Sequence, residues 1–296
     1  MEFRPFAVEL STRFRSTSRR SGVLIRTRDE AGRDHWGEYS PFPDYDAERS
    51  SRWWRASLEA ARGEWPALLR DSVAVNAIVP LVDPEAARDY ATRNGCTTAK
   101  IKVGGGSDLA ADIARVEAVA DALGPVGALR VDVNGGWDLD EAARCLPLLD
   151  RAARTGGAAG LQYAEQPVAS VADMAALRRR VDVPIAADES IRIPGSADAV
   201  IAADAADVII LKAQPLGGVR RALEIADSVG ELPLVVSSAM ESSVGLAAGV
   251  ALALALPREP LACGLGTGAL LATDTVAKTW LPVDGRMGVQ DLEVIV

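Results

Sequence analysis

From about residue 73 the chain repeats one unit: a short β-branched apolar run, a polar turn, then an Ala-rich stretch with helical spacing. The strand-like runs are VAVNAIVP (73–80), TAKIKVGG (98–105), ALRVDVNGG (128–136), GLQYAEQP (160–167), VPIAADES (183–190), ADVIILKAQP (206–215), LPLVVSSAMES (232–242) and LACGLG (261–266), eight in all. Between them lie segments such as DPEAARDYATRNG, SDLAADIARVEAVADALG and GGVRRALEIADSVG, several with acidic starts and Gly just past the end, as helix capping favours. Strands alternating with helices require a parallel sheet, and eight such units over roughly 200 residues predict a closed barrel. A doubly wound sheet is the competing fold, and it normally carries a G-x-G-x-x-G fingerprint at its switch point. The GGG at 104–106 and the GLGTG at 264–268 lack that spacing and read as tight turns between strand and helix.

Residues 1–72 follow a different pattern: strand-like FAVEL and GVLIR, a WGEYSPFP turn, then a helical RWWRASLEAARGEW. The expected architecture is therefore α/β, a modified TIM-type (β/α) barrel over 73–272 behind an N-terminal α+β capping domain over 1–72. The tail, 273–296, fits no further barrel unit and is expected to return to the cap. Trp53 and Trp54 are expected in the cap core.

Charge and composition narrow the partners. A net charge of −9 and a pI near 4.9 leave no broad basic face for nucleic acid. Cys96, Cys145 and Cys263 are too few and too scattered for a disulfide framework or a thiolate cage, so reduced core thiols are expected. The longest apolar run, Val244 to Leu256, is too short to span a bilayer, and MEFRPFAVELSTRFR lacks the apolar stretch of a secretory signal. A cytoplasmic protein without a membrane role is expected. His35, the single histidine, sits in a polar turn and is expected at the surface, which disfavours a His triad or multi-His metal site.

Lysine is scarce: Lys and Arg together number 32, and only Lys100, Lys102, Lys212 and Lys278 are lysines. Where such a chain uses Lys, an amine that can release and accept a proton is a candidate requirement, since Arg cannot serve. Residues two apart on a strand share a face, and the active site of a parallel barrel lies at the carboxyl ends of its strands. Those ends carry Lys100 and Lys102, Asp132 and Asn134, Glu165, Asp188, and Lys212 on five consecutive strand-like runs. Three carboxylates converging in a low-dielectric pocket repel one another, and a divalent cation is the simplest remedy. Oxygen-only ligands favour Mg²⁺, with Mn²⁺ as a substitute, over zinc. Beside such a cation, Lys102 and Lys212 are the candidate bases, with pKa values expected to fall toward neutrality. The set suits abstraction of a proton next to a carboxylate, giving an enediolate whose charge the metal absorbs.

The ordered set K-x-K, D-x-N, E-Q-P, D-E-S and K, each at a barrel strand end behind an α+β cap, resembles the enolase superfamily in its muconate-cycloisomerase-like branch. That superfamily pairs a Lys or His base with Mg²⁺. The resemblance implies that Asp132, Glu165 and Asp188 hold the metal, Lys102 is the base on one face, Lys212 lies on the other, and Lys100 holds the substrate carboxylate. Within the branch, RFRSTSRRSGVLIR, GEYSPFPDY, LRVDVNGGW and SSAMESSVG are similar to the enzymes of menaquinone biosynthesis that dehydrate 2-succinyl-6-hydroxy-2,4-cyclohexadiene-1-carboxylate to an aromatic acid. The partner so implied is a small dicarboxylate. Substrate contacts are then expected at Ser238, Met240, Glu241, Ser242 and Gly264. Racemisation of N-acylamino acids or epimerisation of dipeptides is the alternative on this scaffold, muconate cycloisomerisation a weaker one, and a non-catalytic metabolite-binding barrel the alternative from another class.

Other residues carry two readings. Arg13, Arg15, Arg19 and Arg20 form a charged hairpin loop or a mobile lid over an anionic substrate. Ser238, Glu241, Ser242 and Ser243 are substrate contacts or caps for the following apolar helix. Asn134 and Glu189 are expected to orient the metal ligands. Arg130 shares the inward face with Asp132 but lies deeper, so structural pairing is expected of it.

Overall fold

The computed structural model describes the 296-residue chain apart from Arg15, Ser16, Ser107 and Pro194 and the side chains of Arg13 and Phe14. The cap opens with three antiparallel strands, β1 (Glu2–Phe14), β2 (Thr17–Arg28) and β3 (Asp34–Tyr39), followed by α1 (Ala47–Arg62). Asp46 starts this helix by accepting the Arg49 N–H at 2.8 Å, and Gly63, in the left-handed region at φ 68°, ends it. The helix lies directly on β3. A Cβ at Gly37 would stand 1.9 Å from the Ser57 carbonyl oxygen, so only glycine permits this approach.

Trp53 is fully buried, edge-on to Phe42 and Tyr45, whereas Trp54 is 37% exposed and lies against Phe3 and Tyr39. Adjacent helical residues point about 100° apart, so only one of the pair can face the core. The expectation of two core tryptophans thus holds for Trp53 alone. His35 is half-buried rather than at the open surface, with Nε2 3.0 Å from Asp29 Oδ2.

Beyond the cap run β4 (Ser72–Ala74), β5 (Ala77–Val79), α2 (Pro84–Thr92), β6 (Thr98–Lys102), α3 (Leu109–Leu123), β7 (Ala128–Asp132), α4 (Leu139–Thr155), β8 (Leu161–Glu165) and α5 (Val171–Arg178). Then follow β9 (Ile185–Ala187), α6 (Ser196–Ala202), β10 (Val208–Leu211), α7 (Ala213–Leu216), α8 (Val219–Ser228), β11 (Leu234–Val236), α9 (Ser243–Ala255) and β12 (Arg286–Gly288). Strands β5 to β11 form one seven-stranded parallel sheet in sequence order. Asp83, Asp108, Asp138 and Ser170 each accept the N–H three residues on, so the acidic starts are helix caps.

Two expectations about the barrel change. The first strand-like run splits into β4, which pairs antiparallel with β12, and β5, which joins the parallel sheet. The eighth, LACGLG, forms no ladder; it closes the curled sheet through single bridges, Val75 to Cys263 on one side and Ser237 to Gly264 on the other. Gly264 donates its N–H to the Val236 carbonyl at 2.8 Å and accepts from Ser238 N at 3.0 Å, so the closing segment lies at ordinary strand spacing.

The tail touches both parts of the chain. β12 pairs with β4 beneath the barrel, and Val276, Leu292, Val294 and Val296 pack with Phe6, Val8 and Leu24 of the cap. Helix α9 is apolar on every side and buried along nearly its whole length. Among the described residues no helix is long and apolar enough to cross a membrane. Cys96, Cys145 and Cys263 are free and buried.

Candidate active site

Parallel register brings the charged strand ends together. Lys102 pairs with Asp132, Asp132 with Glu165, and Glu165 with Ala186, so these side chains stand at one level of the barrel. Asp188 follows two residues after Ala186 and Lys212 one residue after β10. Lys100, one pleat below Lys102, reaches up between two carboxylates, 2.8 Å from Asp132 Oδ2 and 2.8 Å from Glu165 Oε1. Lys102 Nζ donates to Asp132 Oδ2 at 2.8 Å and to Asn134 Oδ1. Across the mouth Lys212 Nζ donates to Asp188 Oδ2 at 2.7 Å. Lysines therefore face the carboxylates from both sides. Among the described residues no three Asp, Glu, His or Cys side chains are grouped to hold a metal as they stand; ammonium and guanidinium groups separate them.

The three carboxyls differ in proton affinity. Burial pushes the Asp132 carboxyl up, but Lys100 and Lys102, both bonded to it, outweigh burial and hold it well below the usual range. Asp188 is held low in the same way, by Arg192 and Lys212 against burial. Glu165 goes the other way. Burial, helped by the neighbouring Asp132 and Asp188 charges, outweighs Lys100 and Lys212 and raises it to about 7. Its Oε2 is buried without a hydrogen-bond partner. Burial opposes charge on Lys100 too, but Asp132 and Glu165 dominate and raise its pKa.

The positioning residues are local. Asn134, in the left-handed region at φ 53°, accepts from Lys102 and donates from Nδ2 to Glu189 Oε1 at 3.2 Å. Gln166, at φ 40° and fully buried, accepts the backbone N–H groups of Asp188 and Ser190, both at 3.1 Å, through Oε1. It thereby fixes the turn that presents Asp188. Arg192 bonds both oxygens of Asp188. Neither role was anticipated for Gln166 or Arg192, although both lie in or beside the E-Q-P and D-E-S segments.

A cavity of about 580 Å³ opens onto Lys100, Lys102, Asp132, Asn134 and Lys212. Of the expected substrate contacts, Ser238 and Met240 line it, together with unanticipated Thr12, Ile78, Leu81, Thr267 and Leu270. Glu241, Ser242 and Gly264 do not. Glu241 turns back to accept the Ala239 N–H at 2.8 Å, and Ser242 caps α9 and bonds Glu38 of the cap. Ser243 Oγ donates to Asp274 at 2.5 Å. Ser242 and Ser243 are bonded inside the fold, and the capping alternative describes Ser242, whereas Glu241 Oε1 is buried without a hydrogen-bond partner.

Arg20 differs from a mobile lid. It is 3% exposed, donates to the Met240 and Ser40 carbonyls, and lies over the Phe42 ring at 4.3 Å. Arg19 is exposed, 3.6 Å from Glu9; Arg15 and the Arg13 side chain lie outside the described residues. Arg130 is fully buried and pairs with Gln162 and Asn76, the structural role expected of it.

Residues 83–293 match the family model described as enolase C-terminal domain-like, and residues 6–61 match the enolase N-terminal domain-like model. The chain belongs to the enolase superfamily. The o-succinylbenzoate synthase of Thermobifida fusca is 54% identical, covering 99% of this chain and 89% of its own. That of Mycolicibacterium smegmatis is 46% identical over 96% of this chain and 84% of its own. This superfamily member therefore falls within the o-succinylbenzoate synthase group. The L-Ala-D/L-Glu epimerase of Bacillus subtilis superposes with a TM-score of 0.82 at 23% identity, covering 99% of this chain and 96% of its own. At that identity the likeness is one of fold. Membership in the superfamily implies use of a divalent metal.

Proposed function

We propose that the chain is an o-succinylbenzoate synthase, a lyase of menaquinone biosynthesis. It removes water from the dicarboxylate 2-succinyl-6-hydroxy-2,4-cyclohexadiene-1-carboxylate to give 2-succinylbenzoate, with Mg²⁺, or Mn²⁺ in its place, at Asp132, Glu165 and Asp188. The donor set suits such a cation: three carboxylates, oxygen only, with the buried Glu165 Oε2 lacking a partner. Bound there, the cation would supply the positive charge that keeps Glu165 ionised beside Asp132 and Asp188 and would stabilise charge developing on the substrate carboxylate.

The residues of the chain account for the proton and the geometry. Lys102, as the free amine, takes the proton from the ring carbon that bears the carboxylate, and Asn134 aims its nitrogen. The electron pair left on that carbon forms an enediolate, then the ring double bond, as the C–O bond breaks. The ammonium of Lys102 returns its proton to the departing hydroxide on the same face, so water leaves and the base is regenerated. Lys212 remains a cation on the opposite face, and Lys100 holds the substrate carboxylate. A base contributes roughly 10²- to 10⁴-fold, about 3 to 5 kcal/mol, of barriers lowered by roughly 8 to 23 kcal/mol, so charge stabilisation carries the rest.

The observation that carries this reading is likeness over 99% of the chain to the Thermobifida fusca synthase, in a fold whose strand register gathers Lys102, Asp132 and Glu165. The test is an anaerobic assay with Mg²⁺ and the cyclohexadiene substrate, following the ultraviolet absorbance of the aromatic product. Turnover is expected, and its absence rejects the assignment. The presence of Lys102 and Lys212 on opposite sides favours a second reading, racemisation of N-acylamino acids or epimerisation of dipeptides. Deuterium entering a chiral substrate from both faces, lost separately in Lys102→Ala and Lys212→Ala, supports that activity.

A further inference from the structure

Arg192 lies four residues beyond Asp188, past the short helical turn Glu189–Ile191 that follows β9, and its side chain is 13% exposed. Its guanidinium grips Asp188 as a fork, Nε donating to Oδ1 at 3.2 Å and Nη2 to Oδ2. A planar fork of this kind fixes the carboxylate plane, which a lysine at the same place does not. Nη2 also donates to Glu189 Oε1 at 3.2 Å, and Glu189 accepts from Asn134, the partner of Lys102. The rest of the contacts run to the cap: Nη1 donates to the Tyr45 hydroxyl at 3.2 Å, and the Arg192 carbonyl accepts from Arg52 of α1.

One residue therefore joins a strand-end carboxylate of the barrel to the cap, through its side chain to Tyr45 and through its backbone carbonyl to Arg52. We propose that Arg192 is a positioning residue that sets the Asp188 carboxylate for the divalent cation and makes that setting depend on the docked cap through Tyr45 and Arg52. The inference rests on the assignment of Asp188 as a cation ligand. Arg192 is itself cationic and repels a metal ion; the proposal is that orientation outweighs repulsion, which gives the test a definite sign.

The test is titration of the full-length protein with MgCl₂ alone by calorimetry, for wild type, Asp188→Asn, Arg192→Lys and Tyr45→Phe. Arg192→Lys keeps the charge and loses the fork, and an increase in the Mg²⁺ Kd of about tenfold is expected, as for partners that orient a metal ligand. Tyr45→Phe removes one hydrogen bond at a half-buried site and leaves the fold intact; a rise of two- to fivefold is expected. An Arg192→Lys Kd within twofold of wild type, or tighter, overturns the proposal. An unchanged Kd in Tyr45→Phe overturns the link to the cap. Failure of wild type to bind Mg²⁺, or wild-type binding by Asp188→Asn, instead overturns the assignment of the site itself, so the two failures are distinguishable. Metal-free melting of each variant shows that it is folded before its Kd is compared.

Discussion

Glu38 of the cap accepts the backbone N–H of Ser242 in the barrel at 3.1 Å. It also accepts from Gly245 N at 3.0 Å, from Ser40 Oγ at 2.6 Å and from Ser242 Oγ, so a cap carboxylate closes the start of α9. Burial, and then the charge of Glu241, outweigh these bonds and Arg20 and raise its pKa to about 7, against 4.5 for an ordinary glutamate. The sign of the linkage follows. Between 4.5 and about 7 the folded chain holds a proton that the unfolded chain has lost, so stability falls as pH rises through that window and is flat outside it. The free energy of unfolding of wild type minus that of Glu38→Gln is expected to fall on the order of 3 kcal/mol from about pH 4.5 to about pH 7.5. Urea unfolding across that range measures it; a difference independent of pH refutes the buried-acid account.

The two lysines of the mouth are expected to tolerate arginine differently. Lys102 is assigned a proton transfer, which a guanidinium cannot perform, whereas Lys212 is assigned only a positive charge near Asp188. Lys102→Arg should lose roughly 10²- to 10⁴-fold in kcat, the typical contribution of a general base. Lys212→Arg should retain more than Lys212→Ala. Steady-state kinetics with the cyclohexadiene substrate decide this. Equal loss in both arginine variants counts against a single base and favours proton transfer on both faces.

What the sequence disclosed and what it concealed have physical reasons. The alternation of strands and helices and the two-residue period of strand faces are local, so the barrel and the level shared by Lys102, Asp132 and Glu165 were legible. The eighth run was read as a strand from its apolar character. Its pairing stops at single bridges, Gly264 with Ser237 and Cys263 with Val75, and these partners lie far away in the chain, where no local pattern reports how far the pairing extends. Arg20 read as a loop charge because its acceptors, the Met240 and Ser40 carbonyls, lie 220 and 20 residues away. Ser242 turned away from the cavity for a similar reason, since it meets Glu38, 204 residues distant, whereas Glu241 folds back onto the Ala239 N–H two residues before it. Arg192 was closer to hand. An arginine one helical turn after a site carboxylate is a spacing signal that a search for ligands alone passes over.

The seating of the cap can be probed without touching a charged group. A Cβ at Gly37 would meet the Ser57 carbonyl oxygen at 1.9 Å and Ala61 N at 3.0 Å, both backbone atoms that cannot swing aside. Gly37→Ala should therefore force α1 off β3 and cost roughly 1 to 3 kcal/mol, as overpacking does. The displaced helix carries Arg52, which donates to the Arg192 carbonyl, so a higher KM is also expected. Chemical denaturation and kinetics check both; a loss under about 0.5 kcal/mol means the helix can yield more easily than overpacked cores do.

Glu165 is expected to show a conflict between stability and function. Its Oε2 is buried without a partner, and Asp132 and Asp188 add negative charge nearby, while Lys100 serves Asp132 as well as Glu165. A buried charged oxygen left unsatisfied costs on the order of 1 to 3 kcal/mol or more. Glu165→Gln keeps the shape and an acceptor for Lys100, removes the charge, and offers an N–H to the neighbouring carboxylates. The metal-free protein should thus become more stable by about 1 to 3 kcal/mol at neutral pH. In the same variant the rise in melting temperature on adding Mg²⁺ should vanish, because stabilisation by a ligand requires that the folded state bind it. Thermal melts with EDTA and with MgCl₂ read both effects on one sample. A variant less stable than wild type in EDTA would show that Glu165 stabilises the fold, and an undiminished Mg²⁺ shift would remove it from the cation site.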